Sequence, residues 1–361
     1  MGQAHTPIPQ RMTQLLVVAC AAIGGLVACG ENDDDGPRDL HLLEWNGYQH
    51  PQFYPEYTAK YGRSPDYTYF DNAHNAMQRM RTGYRVDLVH LCTGQLSQSK
   101  DEGLIRPIDT SRIPNWSTIT PELLDLPDVR MDGEYWLMPW EWGFSTVAYN
   151  PDAISIENPT YEMFIDPQFK GRTALTSDIP VNFVIAGVIA GWEDPIEPTE
   201  EEMEEAPEIF TKMLENARFI WTDGTQMEQA WAAGDVAISY IFGSATRRMN
   251  KEGLHNVIVY PLQTWMCGLA VTTNGRATDE EVYDYLNAML APASGAAMFD
   301  MYGYGHGNST TASTLDPELI AGTGVEDPAG TFALGVYTKA HPPAIRAKLF
   351  QLWFEAQAGL N

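Results

Sequence analysis

Short apolar runs alternate with segments of helical character along the first hundred residues. The strand-like runs cover residues 40–45, 66–71 and 87–91. The segments between and after them, which predict helices, cover residues 51–61, 75–81 and 95–103. Gly62 follows the first of these helices and Gly103 ends the third, as expected for helix C-termini. Strands and helices that alternate at this spacing predict βαβ units and a mostly parallel sheet, which is an α/β lobe.

Residues 137–150 interrupt the alternation and predict a long crossing segment. Trp140, Glu141 and Trp142 lie directly before an extended run over residues 144–149, which ends at the Asn-Pro pair that starts at Asn150. After this segment the alternation resumes, with strand-like runs at residues 172–178, 236–242 and 257–260 and helices at 183–190, from Thr199, and at 227–233. The Glu-rich start of the helix after Thr199 fits the dipole of a solvated helix N-terminus better than a metal site.

The length and the net charge of the chain limit the classes of protein to which it can belong. A chain of 361 residues with 44% hydrophobic residues can bury two cores, so we expect two lobes. A net charge of -26 argues against nucleic acid as a partner, because a phosphate-binding surface has to be basic. The acidity is compatible with a cationic ligand and equally with solubility alone.

The N-terminus predicts export. Arg11 precedes an apolar run over residues 15–28 that is short for a membrane span but typical of a signal peptide. Leu-Val-Ala before Cys29 resembles a bacterial lipobox, with Cys20 as a weaker candidate and a buried core cysteine as the alternative. We therefore expect a signal peptide over residues 1–28, a lipid anchor at Cys29, an acidic tether over residues 29–37, and a periplasmic or cell-surface protein.

No motif for catalysis or for a metal stands out. The sequence has neither a His-Glu-x-x-His nor a Cys-x-x-Cys zinc motif, and it has no Gly-x-Ser-x-Gly nucleophile elbow. The glycines around residues 303–307 lack the pattern of a phosphate-binding loop. We expect no cofactor, no metal and no enzyme activity. Cys92 and Cys267 remain in the exported part of the chain, and the sequence leaves open whether they pair.

Aromatic residues cluster where the predicted strands end. They are Trp45, Tyr48, Trp140, Trp142, Tyr240, Phe242, Trp265, Tyr302 and Tyr304. Ligands of open α/β sheets bind at the carboxyl ends of strands, and aromatic faces there can hold a cation. Core packing is the alternative for each of these rings taken singly.

A set of motifs in fixed order resembles the spermidine/putrescine-binding proteins of bacterial ABC importers. The motifs are Leu-Glu-Trp at 43–45 with Tyr48, Tyr-Arg-Val-Asp-Leu-Val at 84–89, Glu-Gly-Leu-Ile-Arg-Pro-Ile-Asp at 102–109, Met-Pro-Trp-Glu-Trp-Gly at 138–143, the segment from 234 to 245, Trp-Met-Cys-Gly-Leu-Ala at 265–270, and Gly-Tyr at 303–304 with Asn308. The resemblance implies two α/β lobes that close like a hinge on a ligand, with crossings at residues 138–150 and 265–272. The lobes would be residues 38–141 plus 267–307, and 142–266 plus 308–361.

The resemblance also implies roles for single residues. Trp45, Tyr48, Trp265 and Tyr304 match aromatic ligand contacts of the family, Asp178 matches an acid that binds an amine, and Tyr240 or Phe242 stands for a family tryptophan.

The chain departs from the family at two acids, because it has Cys267 and Val181 where the polyamine binders have carboxylates. Glu141, between two tryptophans, is a candidate replacement, with Glu44 before Trp45 as a further nearby acid.

The ligand predicted in this way is a cationic, amine-type solute, either a polyamine or a compact quaternary ammonium or sulfonium compound. The partner would be an ABC permease, and we expect a monomer. A secreted enzyme on the same scaffold, using Cys92 or Cys267 with Glu141, is one alternative. A ligand-sensing receptor subunit is the other.

Overall fold

The computed structural model of the protein describes residues 38–70, 72–321, 323–339 and 341–360. The predicted signal peptide, the acidic tether, Cys20 and Cys29 lie outside the described residues. None of the helices within the described ranges has both the length and the apolar character needed to span a bilayer.

The strands are numbered in chain order. They are β1 (His41–Trp45), β2 (Asp66–Phe70), β3 (Leu88–Cys92), β4 (Ile105–Arg106), β5 (Arg130–Met131), β6 (Glu134–Tyr135), β7 (Met138–Tyr149), β8 (Thr173–Thr176), β9 (Ala217–Trp221), β10 (Ile238–Phe242), β11 (Val257–Thr272), β12 (Gly305–His306) and β13 (Gly335–Tyr337).

The α-helices lie between the strands and after the last of them. They are α1 (Pro55–Tyr61), α2 (Ala73–Arg81), α3 (Leu96–Asp101), α4 (Pro121–Leu124), α5 (Ile179–Ala190), α6 (Glu200–Met203), α7 (Ala206–Asn216), α8 (Gly224–Ala232), α9 (Gly243–Lys251), α10 (Asp279–Met289), α11 (Pro292–Tyr302), α12 (Pro317–Ile320), α13 (Pro328–Ala333) and α14 (Pro343–Gly359). Short 3-10 turns complete the connections, for example at Pro51–Phe53.

Two long antiparallel strands, β7 and β11, form the middle of the main sheet, whose order is β2-β1-β3-β11-β7-β10-β8-β9. On one side of this pair β1 runs parallel to β2 and β3, and on the other side β8 runs parallel to β9 and β10. The strands that flank β11 and β7 directly, β3 and β10, pair with them antiparallel. The two parallel units confirm the predicted two-lobe α/β fold with crossing strands.

Each unit has its own hydrophobic core. The first core contains Leu42 and Leu88 with Leu286 from α10, and the second contains Phe183 and Trp353 from α5 and α14. β7 and β11 supply residues to both cores, so every residue of β7 is buried although its ends belong to different units. The predicted residue boundaries between the lobes stay a prediction.

Local sequence explains where several helices begin and end. Gly62 ends α1 in the left-handed conformation, with φ of 69°, as the glycine signal predicted. The Glu-rich stretch after Thr199 begins α6 through a capping box, in which Thr199 and Glu202 bond each other's backbone N–H groups. The sequence pattern does not predict β9, α7 or α9 to α14, and it indicates β11 only as two separate pieces.

Candidate ligand site

A β-bulge in the crossing pair fixes the direction of Glu141. Cys267 of β11 pairs with Glu141 and Gly268 pairs with Pro139, so Trp140 has no residue opposite it. The extra residue breaks the strict alternation of sides along β7. Bulges of this kind commonly re-aim side chains next to functional sites.

Glu44, His90 and Glu141 form a buried row of charged side chains from β1, β3 and β7. Nδ1 of His90 lies 2.5 Å from Oε1 of Glu44, and Nε2 lies 3.5 Å from Oε1 of Glu141. The three side chains are at most 3% exposed. Within the described part of the chain, Oε2 of Glu44 and Oε2 of Glu141 have no hydrogen-bond partner. Nε2 of His90 likewise has no hydrogen-bond partner among the described residues, so the row contains buried polar atoms whose hydrogen-bonding capacity is unused.

Burial and charge act in opposite directions on this row. Burial lowers the pKa of His90, but the charges and hydrogen bonds of Glu44 and Glu141 outweigh it and raise the pKa to about 10. Burial raises the pKa of Glu141, while His90 opposes that shift. The two carboxylates therefore favour the positively charged form of His90.

A row of aromatic rings lies beside these charges. Tyr48 stacks on Tyr302 with ring centroids 4.9 Å apart, Tyr302 stacks on Tyr304 at 6.0 Å, and Trp265 meets Tyr304 edge-on at 4.8 Å. Tyr48 also contacts the His90 ring at 5.2 Å. Burial is the largest cause that raises the pKa of Tyr304, to about 12, and the negative charge of Glu141 is the second. The same two causes raise the pKa of Tyr48 well above its ordinary value. We call Tyr48, Tyr302, Tyr304 and Trp265 the aromatic row. All four rings are only partly buried, which fits a surface that a ligand can reach.

Close packing holds Trp265 in place. A Cβ atom added at Gly143 would lie 2.7 Å from the indole ring of Trp265, so the ring lies directly over the backbone of β7. The indole Nε1 of Trp265 is buried and has no hydrogen-bond partner among the described residues.

Cys92 and Cys267 form a disulfide between β3 and β11, which answers the pairing question that the sequence left open. The two residues are direct partners in the strand register. Cys267 stands where the resembling family has an acid, and it is in the disulfide rather than at the surface as a free thiol.

His90, Glu141 and Cys267 offer ligand atoms within 4.8 Å of one another. The sulfur of Cys267 is bonded to Cys92, however, and two remaining ligands are fewer than the three or four that protein zinc sites use. The group therefore does not make a metal site in the disulfide-bonded protein.

Trp140 and Trp142 lie inside the first core. Trp140 is fully buried, packs on Phe53 at 5.1 Å and donates its indole N–H to Ser294. Trp142 is 1% exposed and donates its indole N–H to the backbone oxygen of His306. Both indoles are packed in the core, the alternative that the sequence left open for each ring.

The remaining predicted site residues lie on the second unit or at its edge. Asp178 is exposed and precedes α5, and burial by its surroundings raises the pKa of its carboxyl. Tyr240 is buried, Phe242 is 40% exposed, and their ring centroids lie 6.1 Å apart. A Cβ atom added at Gly303, next to Tyr304, would lie 3.5 Å from Cβ of Ser244, which lies in α9 just after Phe242. The loop that carries Tyr304 thus lies close to the start of α9.

Trp45, on the first unit, is partly buried and packs on Phe70 at 4.5 Å, away from the aromatic row. Its backbone N–H donates to Oε1 of Glu44 at 2.7 Å. The structure thus gives Trp45 a part in holding Glu44, and a role for its ring in ligand binding stays a prediction.

His90 is the member of the site that sequence reasoning missed. It occupies the apolar run that predicts β3, where a lone histidine gives no motif. The one available signal was a titratable residue inside an otherwise apolar strand.

Comparisons with known proteins agree with this architecture. The family model of bacterial extracellular solute-binding proteins matches residues 56–327. The spermidine/putrescine-binding periplasmic protein of Salmonella typhimurium is 24% identical over 338 residues, covering 90% of this chain and 93% of that protein. The putrescine-binding periplasmic protein PotF of Escherichia coli is 22% identical over 344 residues, covering 89% and 92%.

Solved structures show the same fold. The substrate-binding protein PotD of a Streptococcus pneumoniae spermidine/putrescine ABC transporter superposes with a TM-score of 0.75 at 20% identity, covering 88% of this chain and 98% of that chain. The Agrobacterium tumefaciens protein MotA in complex with glucopine superposes with a TM-score of 0.66 at 16% identity, covering 88% and 98%.

Proposed function

The chain belongs to the bacterial extracellular solute-binding proteins, and from that premise we propose that it captures a small cationic, amine-type solute for an ABC importer. The observation that carries the proposal is Glu141. Its carboxylate is buried beside the aromatic row, and one of its oxygens lacks a partner within the described part of the chain. A buried carboxylate next to aromatic faces suits an organic cation, which gains from both the charge and the rings.

The crossing strands supply the mechanism of capture. β7 and β11 connect the two units. The proposed site residues come from the pair itself, as Glu141 does, and from both units, with Tyr48 after β1, Asp178 before α5 and Phe242 at the end of β10. Hinge closure of two lobes over a ligand is a common transition in binding proteins of this architecture. The aromatic row would then close over the cation and exclude water.

Membership of an importer complex and a lipid anchor at Cys29 are parts of the same proposal. The periplasmic relatives support an extracytoplasmic location, and the Leu-Val-Ala-Cys sequence supports the anchor. A Cys29→Ser variant that still enters the membrane fraction, and that shows no loss of an acyl mass in intact-protein mass spectrometry, would refute the anchor.

The enzyme alternative has lost its proposed nucleophiles. Cys92 and Cys267 were the candidate thiols, and both are oxidised in the disulfide. A disulfide sulfur provides no thiolate for nucleophilic catalysis.

Calorimetric titration of the purified protein tests the proposal. The panel is spermidine, putrescine, n-butylamine, choline and glycine betaine, with the anionic amino acid glutamate as a negative control. We expect at least one of the cations to bind with micromolar or lower Kd, and glutamate to give no heat of binding. Absence of binding for every cation in the panel would overturn the proposal.

A further inference from the structure

Four side chains from three strands share one face of the main sheet. Cys267 of β11 pairs with Cys92 of β3 on one side and with Glu141 of β7 on the other. Residues directly opposite each other in a sheet point to the same face, and so do residues two positions apart in one strand. His90, two residues before Cys92, therefore lies on this face as well. The strand register thus brings together one imidazole, one carboxylate and two sulfur atoms.

The distances between these groups suit a tetrahedral metal ion. Ligand atoms of His90, Glu141 and Cys267 all lie within 4.8 Å of one another. Nε2 of His90 lies 3.5 Å from Oε1 of Glu141. Two ligand atoms that are each about 2.1 Å from a tetrahedral zinc ion are roughly 3.4 Å apart, so this pair matches one edge of such a site.

The unused polar atoms of the cluster point to a ligand. Nε2 of His90 and Oε2 of Glu141 are buried and have no hydrogen-bond partner among the described residues. Nδ1 of His90 lies 2.5 Å from Oε1 of Glu44. A carboxylate on one ring nitrogen orients a metal-binding histidine and leaves the lone pair of the other nitrogen for the metal. Glu44 thus holds His90 with Nε2 directed toward Glu141.

The disulfide withholds the third ligand. Metal ions bind the thiolate of cysteine, and the sulfur of Cys267 is bonded to that of Cys92. Cys92 is partly buried whereas Cys267 is 5% exposed, so we expect a dithiol reductant to attack the Cys92 sulfur. A mixed disulfide forms on Cys92 and the Cys267 thiolate leaves. The second thiol of the reductant then releases Cys92, so the protein gains two electrons and two protons while the dithiol becomes a disulfide.

We propose that reduction of the Cys92–Cys267 disulfide turns this cluster into a zinc site with His90, Glu141 and Cys267 as its protein ligands. Nitrogen, oxygen and thiolate ligands in a tetrahedral arrangement suit zinc, and three protein ligands leave the fourth position for water. Cys267 and Nε2 of His90 release their protons to the solvent when the metal binds. The inference goes beyond the proposed function and does not depend on it.

Zinc binding by the reduced and the oxidised wild-type protein is the first test. Each form is incubated with zinc, with or without a phosphine reductant, and its metal content is measured after gel filtration. We expect the reduced form to retain zinc and the oxidised form to lose it. Cobalt in place of zinc should give a thiolate-to-metal charge-transfer band with the reduced form alone. Equal metal content in both forms, or none in the reduced form, would overturn the inference.

Two matched variants assign the thiolate. Cys92→Ser and Cys267→Ser remove the same cross-link and leave Cys20 and Cys29 unchanged. Only Cys92→Ser keeps the sulfur that lies within reach of His90 and Glu141. Since loss of even an outer-shell partner costs roughly 10- to 100-fold in metal affinity, Cys92→Ser should bind zinc about tenfold or more tightly than Cys267→Ser without any reductant. Equal affinities of the two variants would contradict the proposed ligand set.

Further changes in the Cys92→Ser background test the nitrogen ligand. His90→Asn should abolish zinc binding, and Glu44→Gln should weaken it roughly 10- to 100-fold because the ring loses its orienting carboxylate. His255→Asn is the matched control, because His255 pairs with Asp152 at 2.7 Å on the exposed surface. Circular dichroism confirms that each variant is folded. Unchanged zinc affinity in a folded His90→Asn variant would overturn the inference and leave amine capture by the disulfide-bonded protein standing.

Discussion

Cys92 and Cys267 lie directly opposite each other on β3 and β11, and their disulfide joins residues 175 positions apart in sequence. The bond fastens the first unit's parallel strands to a crossing strand at the edge of the candidate ligand site. It also places sulfur where the resembling family has a carboxylate.

Removal of this disulfide should destabilise the protein. A cross-link that closes a long loop restricts the unfolded chain and typically contributes about 2–4 kcal/mol. We expect the Cys92→Ser/Cys267→Ser variant to lose free energy of unfolding of that size in urea titrations. Wild-type protein with a reductant should unfold at the same urea concentration as the variant, and identical stability of the variant and the oxidised wild type would contradict the prediction.

Trp265→Ala should weaken binding of the cation identified by the titration panel. The ring contributes a cation–π contact of about 0.5–2 kcal/mol, which corresponds to roughly a 2- to 30-fold rise in Kd. Trp136→Ala is a matched control, since Trp136 is partly buried like Trp265 but packs against the first core outside the aromatic row. Calorimetry should show a higher Kd for the first variant alone; a rise of equal size in both would mean that the effect is structural.

Glu141→Gln should weaken cation binding more than Asp178→Asn does. Glu141 is buried beside the aromatic row, so loss of its charge removes a charge-assisted contact of about 1.5–3 kcal/mol. Asp178 lies outside the buried row and reaches the protein surface, so a cation beside it keeps more contact with water than one beside Glu141.

The control for that comparison is Glu281→Gln, another buried glutamate, which pairs with Arg63 and accepts a hydrogen bond from Tyr57. It should reduce the melting temperature without changing affinity. If Asp178→Asn gives the larger loss of affinity, the cation binds on the second unit.

The stability of the protein should fall as the pH rises from about 7 to 10. The pKa of His90 is about 10 in the folded protein and near 6.5 in the unfolded chain, so folding takes up a proton between these values. The protonated His90 ring stabilises the folded protein fully at pH values below the pKa of His90 in the unfolded chain. This stabilisation is lost as the pH rises past the pKa of His90 in the folded protein. Each unit of pKa difference corresponds to about 1.4 kcal/mol, so a loss of a few kcal/mol is expected.

Urea titrations at pH 7, 8, 9 and 10 measure this loss, and His90→Asn provides the reference. The variant should show a flatter dependence of stability on pH over this range. Parallel curves for the wild type and the variant would mean that His90 does not titrate as described.

Much of the fold follows from local sequence. The alternation of apolar runs with helical segments predicted β1 to β3 and α1 to α3 within a few residues, because side-chain periodicity reports directly on strand and helix. The long strand β11 was predicted in two pieces, since Pro261 interrupts its pattern, and in the structure its pairing with β7 is irregular between Val259 and Gln263. The aromatic positions were predictable as a set, but not which rings are buried.

The sequence by itself determined the class of this protein: two α/β lobes, aromatic residues at strand ends, and the ordered motifs of a solute-binding family. Those signals are local, or they depend on order along the chain. Only the tertiary structure decided that Cys92 pairs with Cys267 and that Trp140 and Trp142 belong to the core. It alone brought His90 between Glu44 and Glu141, because these residues lie 46 or more positions apart and meet only through the sheet order and the bulge in β7.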